Sequence, residues 1–202
     1  MEKRNKLILI ILLIVILVPI AYFGISVYLH DLEEKTFYEG IKNISDIENR
    51  SDIEDAKLNN HTSLLIKDVK NKNIKSINVT STEIEILNDL KSKVSNKSYI
   101  EYIDIQINRL NCENRTYTIS LESDEAYEKF QKGQIGVYEG LAIVEDNKKE
   151  SNAYVNKVKE YKVSADSFLS VHTDMKERFN KLGIDEDFLY NQIEEVKVES
   201  IN

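Results

Sequence analysis

Cysteine occurs once in this chain, at Cys112, proline once, at Pro19, and tryptophan not at all, while glycine appears six times in 202 residues. A single cysteine excludes an internal disulfide, so the fold has to rely on packing. With no cysteine near the N-terminus, a lipoprotein-type anchor is excluded as well. Cys112 is left as a buried thiol or as half of an intermolecular disulfide. Neither glycine nor proline occurs between Gly40 and Gly133, nor between Gly140 and Gly183. Tight hairpins usually draw on these residues, so a succession of short strands is disfavoured. The abundance of Ile, Lys and Asn beside scarce Gly, Pro and Ala fits AT-rich coding, which leaves hydrophobic periodicity as the stronger guide.

What is present begins with a long apolar run. Lys3, Arg4 and Lys6 precede LILIILLIVILVPIAYFGISVYL, residues 7–29, which carries no charge. As a helix it is about 34 Å long at about 1.5 Å per residue, enough for a hydrocarbon core of about 30 Å. The cations before it and Asp31, Glu33 and Glu34 after it predict a cytoplasmic N-terminus and an exterior location for the rest, by the positive-inside rule. A cleaved signal peptide is the rival. Its apolar region is usually shorter, and only Gly24-Ile25-Ser26 offers a small-x-small site. Pro19 is tolerated inside a membrane helix. Without Glu2 and the three leading cations, 34 acidic and 24 basic residues remain, a net charge of -10. That charge argues against nucleic acid as a partner and against electrostatic attachment to anionic lipid.

Beyond the run, 31% charged and 42% hydrophobic residues describe a folding chain. Leu32, Phe37, Ile41, Ile44 and Ile47 give a loosely amphipathic helix, expected as a juxtamembrane stalk over 30–60. HTSLLIKDVKN and IKSINVT fit strand or helix. Thr82 and Glu85 form a capping box that predicts a helix start, with Ile84, Leu87, Leu90 and Val94 behind it. In YIEYIDIQINRLNCENRTYTISLES, alternating Ile103, Ile105, Ile107 and Tyr117, Ile119, Leu121 allow a β-hairpin turning at NCEN. The three-four spacing of Ile100, Ile103, Ile107, Leu110, Asn114, Tyr117 and Leu121 favours helix instead. Gly133 is placed to end that helix, with a short helix following from Gly136. The polar run EDNKKESN, 145–152, reads as a connection into a second long helix. That helix has the seam Tyr154, Val158, Tyr161, Ala165, Phe168, His172, Met175, Phe179 and Leu182, and ends at Gly183 with Ile184 as its apolar contact. A last helix would start at Asp185 and dock Phe188, Leu189, Gln192, Ile193 and Val196.

The candidate sites are few. His172 has Lys176 four residues on and Phe168 four back, so no second metal ligand lies on its helical face; packing is the expected role. His30 marks the membrane exit, and His61 sits in a polar stretch. Asp185-Glu186-Asp187 lacks the ligand pattern of a calcium loop and suits a helix start. No G-x-S-x-G, Walker loop, G-x-G-x-x-G or Cys–His pairing is present. Gly136-x-x-x-Gly140 is a small-residue packing motif. Asn-x-Ser/Thr sequons occur at Asn43, Asn49, Asn60, Asn78, Asn96 and Asn114, six where chance predicts about two, and are candidate glycosylation sites if the host modifies asparagine.

The sequence therefore predicts a mainly α protein: a membrane anchor at 1–29, a stalk at 30–60 and an extracytoplasmic helical bundle at 61–202 with a long antiparallel, coiled-coil-like hairpin. An α+β fold with a β-hairpin at 100–121 is the alternative. The expected role is binding rather than catalysis, as a surface interaction or envelope-structural module with no cofactor or metal. Its partner is either an unknown protein or a second copy through the 154–182 seam. An extracytoplasmic sensor or enzyme with an acidic bundle cavity is the other reading.

Overall fold

A computed structural model describes the backbone of residues 2–59 and 66–184 and the side chains of 15–51 and 68–184. It contains five helices, α1 (Glu2–Asn59), α2 (Ile66–Lys93), α3 (Lys97–Gln131), α4 (Val137–Val171) and α5 (Thr173–Leu182), and no strand among the described residues. The β-hairpin alternative at 100–121 is thereby overturned: the NCEN stretch lies in the middle of α3. Helical spacing wins there because it buries side chains against α1, α2 and α4, whereas a lone hairpin would leave each strand an unpaired edge.

Partner positions give the topology. Ser98 meets His172, Arg115 meets Glu150 and Ser123 meets Asn147, so α4 runs antiparallel to α3 along its whole length. Lys91 with Asp104, Thr80 with Asn114 and Lys70 with Glu128 set α2 antiparallel to α3 on another side. Glu33 with Ser95 and Gly40 with Leu90 set α1 antiparallel to α2, and Glu48 with Arg109 sets α1 parallel to α3. The central helix of the bundle is therefore α3.

Several sequence expectations move. The 145–152 run is not a loop but interior to α4; the hairpin turn is at 132–136, where Gly133 adopts φ +65 and Gln134 N–H donates to Lys129 O at 2.9 Å. Eight polar residues can stay helical because that face of α4 is largely exposed. Thr82 is mid-helix, its hydroxyl donating to Asn78 O at 2.9 Å, so the Thr82–Glu85 pair is not a helix start. Within the segment expected as a stalk, Phe37, Tyr38, Ile41 and Ile44 are core members. The single helix expected over 154–182 breaks at His172 (φ -99, ψ 66), and α5 crosses from α4 to α1, carrying Met175 and Phe179 inward. Gly183 does cap α5 as expected: at φ +65 it takes the left-handed conformation that a Cβ disfavours. Ile184 N–H then reaches Phe179 O at 3.0 Å, and the Ile184 side chain is buried. The helix expected from Asp185 and its docking residues lie outside the described residues.

The core is densest at the α1-exit end. Phe37 stacks on Tyr99 at 4.1 Å and lies 6.2 Å from Phe179, which is 5.3 Å from Tyr102; Tyr102 in turn meets Phe168 at 5.9 Å. Four helices thus converge on one aromatic cluster. Gly40 lets α1 approach α2 here, since a Cβ would lie 2.7 Å from Leu90 Cδ2. Glycine inside a helix normally costs about 1 kcal/mol against alanine, so this position should resist the usual gain. We expect Gly40→Val to destabilise by about 1–3 kcal/mol through overpacking, read from urea unfolding. An unchanged midpoint would show that the helix spacing is not set at Gly40.

Candidate functional site

Three features are candidates for function: the clamp at the base of the domain, a buried ionic cluster at mid-height and an apolar groove at the far tip.

At the base, the Glu33 carboxylate accepts from the backbone N–H groups of Ser95 and Asn96 and from the Ser95 hydroxyl. Burial acts to raise the Glu33 pKa, but these donors outweigh it and hold the group below its ordinary value. Its contribution to stability is therefore present above the ordinary carboxylate range and is lost as pH falls through the lowered pKa. Asn96 caps α3, its Oδ1 accepting from Ser98 N–H at 2.9 Å. His172 closes the other corner: its Nδ1 lies 3.0 Å from Phe168 O, its Nε2 3.1 Å from Ser98 Oγ, and its ring stacks on Phe168 at 4.0 Å. A carbonyl only accepts, so Nδ1 carries a proton, and Nε2 shares a hydrogen bond with the Ser98 hydroxyl. The expected packing role of His172 thus takes a specific form, a latch joining the α4–α5 corner to the start of α3.

At mid-height Arg109 is almost wholly buried, and its guanidinium donates to Glu48 Oε1 (3.1 Å), Glu113 Oε1 (2.5 Å) and Gln106 Oε1 (2.9 Å). Burial raises the Glu113 pKa despite Arg109 beside it. Acid residues are therefore present inside the bundle, as the sensor-or-enzyme reading requires. The space beside them, lined by Ile41, Tyr102, Gln106 and Arg109 among others, is only about 10 Å³. That is about one water, far below the several hundred Å³ typical of ligand pockets.

At the tip, where α3 turns into α4, Tyr127, Phe130, Val137, Leu141 and Val144 are all exposed and surround a cavity of about 130 Å³ floored by Ala126 and Gly140. Gly140 is buried, with Ile135 Cδ1 3.6 Å and Phe130 Cβ 3.7 Å from where a Cβ would stand. Of the Gly136/Gly140 motif, Gly136 precedes α4 as its N-cap, and a Cβ at Gly140 would meet these neighbours at ordinary van der Waals distance.

The remaining sequence candidates fall into place. Among the described residues no group of three or more His, Cys, Asp or Glu is placed to hold a metal ion. Cys112 is buried and its thiol pKa is pushed up by burial, with Lys157 opposing and Glu113 adding. Both facts work against the disulfide expected as one option for it. Asn43 and Asn78 are exposed and Asn49 half-buried, all on helices, while Asn60 and His61 lie outside the described residues. Asn114 has a structural job, its amide donating to Ile77 O, Thr80 Oγ1 and Ser81 Oγ at 2.8–3.0 Å. Asn96 is the α3 cap, so two of the six sequons have a role in the fold that needs no sugar. In the 154–182 seam, Val158, Ala165, Phe168, Met175 and Phe179 are buried within the chain, while Tyr154, Tyr161, His172 and Leu182 are half-buried.

Compared with protein-family models, with curated proteins and with solved structures, the chain gives no match. Among the described residues, Val15–Ser51 of α1 is the one stretch with an apolar segment long enough to cross a membrane, and none of that segment is buried in the bundle.

Proposed function

We propose that this chain is a single-pass membrane protein whose helical domain works by binding, presenting the α3–α4 tip to a macromolecular partner. The observation that carries the reading is the groove of Tyr127, Phe130, Val137, Leu141 and Val144, five exposed apolar side chains gathered around one cavity. Contiguous exposed apolar surface of this kind marks interaction sites more often than it marks nothing, and aromatic side chains dominate binding hot spots. A cavity of about 130 Å³ accepts one or two side chains of a partner rather than a small-molecule ligand.

The anchor supports the same reading. α1 is one helix from the apolar run into the core, so the domain is held rigidly at a set distance from the bilayer. Cations before the run and acids after it favour a cytoplasmic N-terminus with the domain outside. The test uses full-length protein in its native membrane with a photo-crosslinking residue at Leu141 or, as control, at exposed Val163 on α4. A discrete adduct from position 141 that disappears with Phe130→Asp is expected. Equal labelling from both positions, or adducts insensitive to Phe130→Asp, would refute the tip as the binding surface.

A further inference from the structure

The apolar run ends at Leu29, and α1 continues without interruption. Glu33 lies four residues further on, about 6 Å along the axis at about 1.5 Å per residue. The headgroup layer on each side of a bilayer is about 5–8 Å thick. Glu33 is the residue that holds the backbone of Ser95 and Asn96, so the α2–α3 turn is fixed at headgroup height. The Ser98–His172 hydrogen bond then brings the α4–α5 corner alongside it.

From this clamp we infer that the domain is seated directly on its own membrane, with the α2–α3 turn and the α4–α5 corner in contact with phospholipid headgroups. The exposed side chains at this end suit that contact. Lys97, just past the turn, is exposed, and its stem lets the ammonium reach a phosphate; Lys93, just before the turn, is also exposed and pairs with Asp89 at 2.5 Å. Val171, the last residue of α4, is 78% exposed. Asp31, Glu34 and Asp174 lie at a similar height, so the base carries both signs, as a headgroup layer of phosphates and amines does. Seating at this end places the tip groove about 50 Å higher, 33 residues up α3 from Lys97 to Phe130 at about 1.5 Å per residue.

This inference rests on α1 being a membrane anchor, and the experiment separates the two. Full-length protein carrying Cys112→Ser is reconstituted into phosphatidylcholine/phosphatidylglycerol vesicles with one environment-sensitive fluorophore at Val18→Cys, Val171→Cys, Lys97→Cys or Tyr138→Cys. Nitroxides are placed on lipid headgroups or deep in the acyl chains. We expect acyl-chain nitroxide to quench position 18, and headgroup nitroxide to quench positions 171 and 97 several-fold more than position 138 at the tip. No quenching at position 18 would overturn the anchor and the seating with it. Quenching at 18 with positions 171 and 97 no more quenched than 138 would leave the anchor standing and overturn the seating alone.

Discussion

Phe179→Ala is expected to destabilise the protein by about 3–5 kcal/mol, the range for removing a fully buried phenylalanine. At about 2–4 °C per kcal/mol for a chain of this size, the thermal midpoint should fall by on the order of 10 °C. The side chain is 0% exposed and lies within 5.3–6.2 Å of the rings of Tyr102, Tyr38 and Phe37. Truncation would therefore leave a cavity lined by large rings from α1 and α3, which cannot collapse without moving two helices. Residue 179 also lies on α5, whose attachment to α1 is made by this side chain, by Ile184 and by Arg178 over the Tyr38 ring at 5.7 Å. Loss of the α5 contact should show as faster hydrogen exchange in α5 before the rest of the bundle opens. A midpoint within 2–3 °C of the parent, well inside the shift estimated above, would mean that α5 is not part of the core.

Arg109→Ala should cost a similar amount, about 3–5 kcal/mol, because removing one partner strands buried charge on the others. Glu48 and Glu113 would lose the guanidinium that both accept from, in a region where Arg109 itself is 1% exposed. Glu113→Gln tests the same cluster with the opposite sign. Burial raises the folded-state pKa of Glu113 above its ordinary 4.5. Its contribution is thus fully present below that value and is lost as pH rises through the folded pKa. A glutamine at 113 does not ionise, so its stability relative to the parent should improve as pH is raised from 4.5, measured by urea unfolding at several pH values. A difference that stays constant with pH would show that the Glu113 pKa is the same in the folded and unfolded states, and so is not raised by burial.

The buried ionic cluster also explains what periodicity could not find. Three-four spacing of apolar residues in α3 picks out Ile100, Ile103, Ile107 and Leu110, of which Ile103 and Leu110 are buried, but it misses a second buried stripe that includes Tyr102, Gln106, Arg109 and Glu113. The two stripes are offset because α3 is surrounded by α1, α2 and α4 and so buries several faces. Polar residues on one of those faces are invisible to a hydrophobicity count. The tip groove was missed for a related reason: Tyr127, Phe130, Val137, Leu141 and Val144 follow the spacing of a core stripe. Only the position of α2 and α4 leaves that stripe uncovered.

By itself the sequence determined the helical class, the apolar run, the left-handed glycines at 133 and 183 and the single-cysteine chemistry, because each depends on near neighbours along the chain. Tertiary structure decided where the hairpin turns, why the seam breaks at His172, that Phe37, Tyr38, Ile41 and Ile44 belong to the core, and which apolar residues face out. Those outcomes depend on contacts between residues 60 or more positions apart, such as Glu33 with Ser95 and Ser98 with His172. Local spacing constrains which face of a helix is apolar, but only the neighbouring helices determine whether that face is covered.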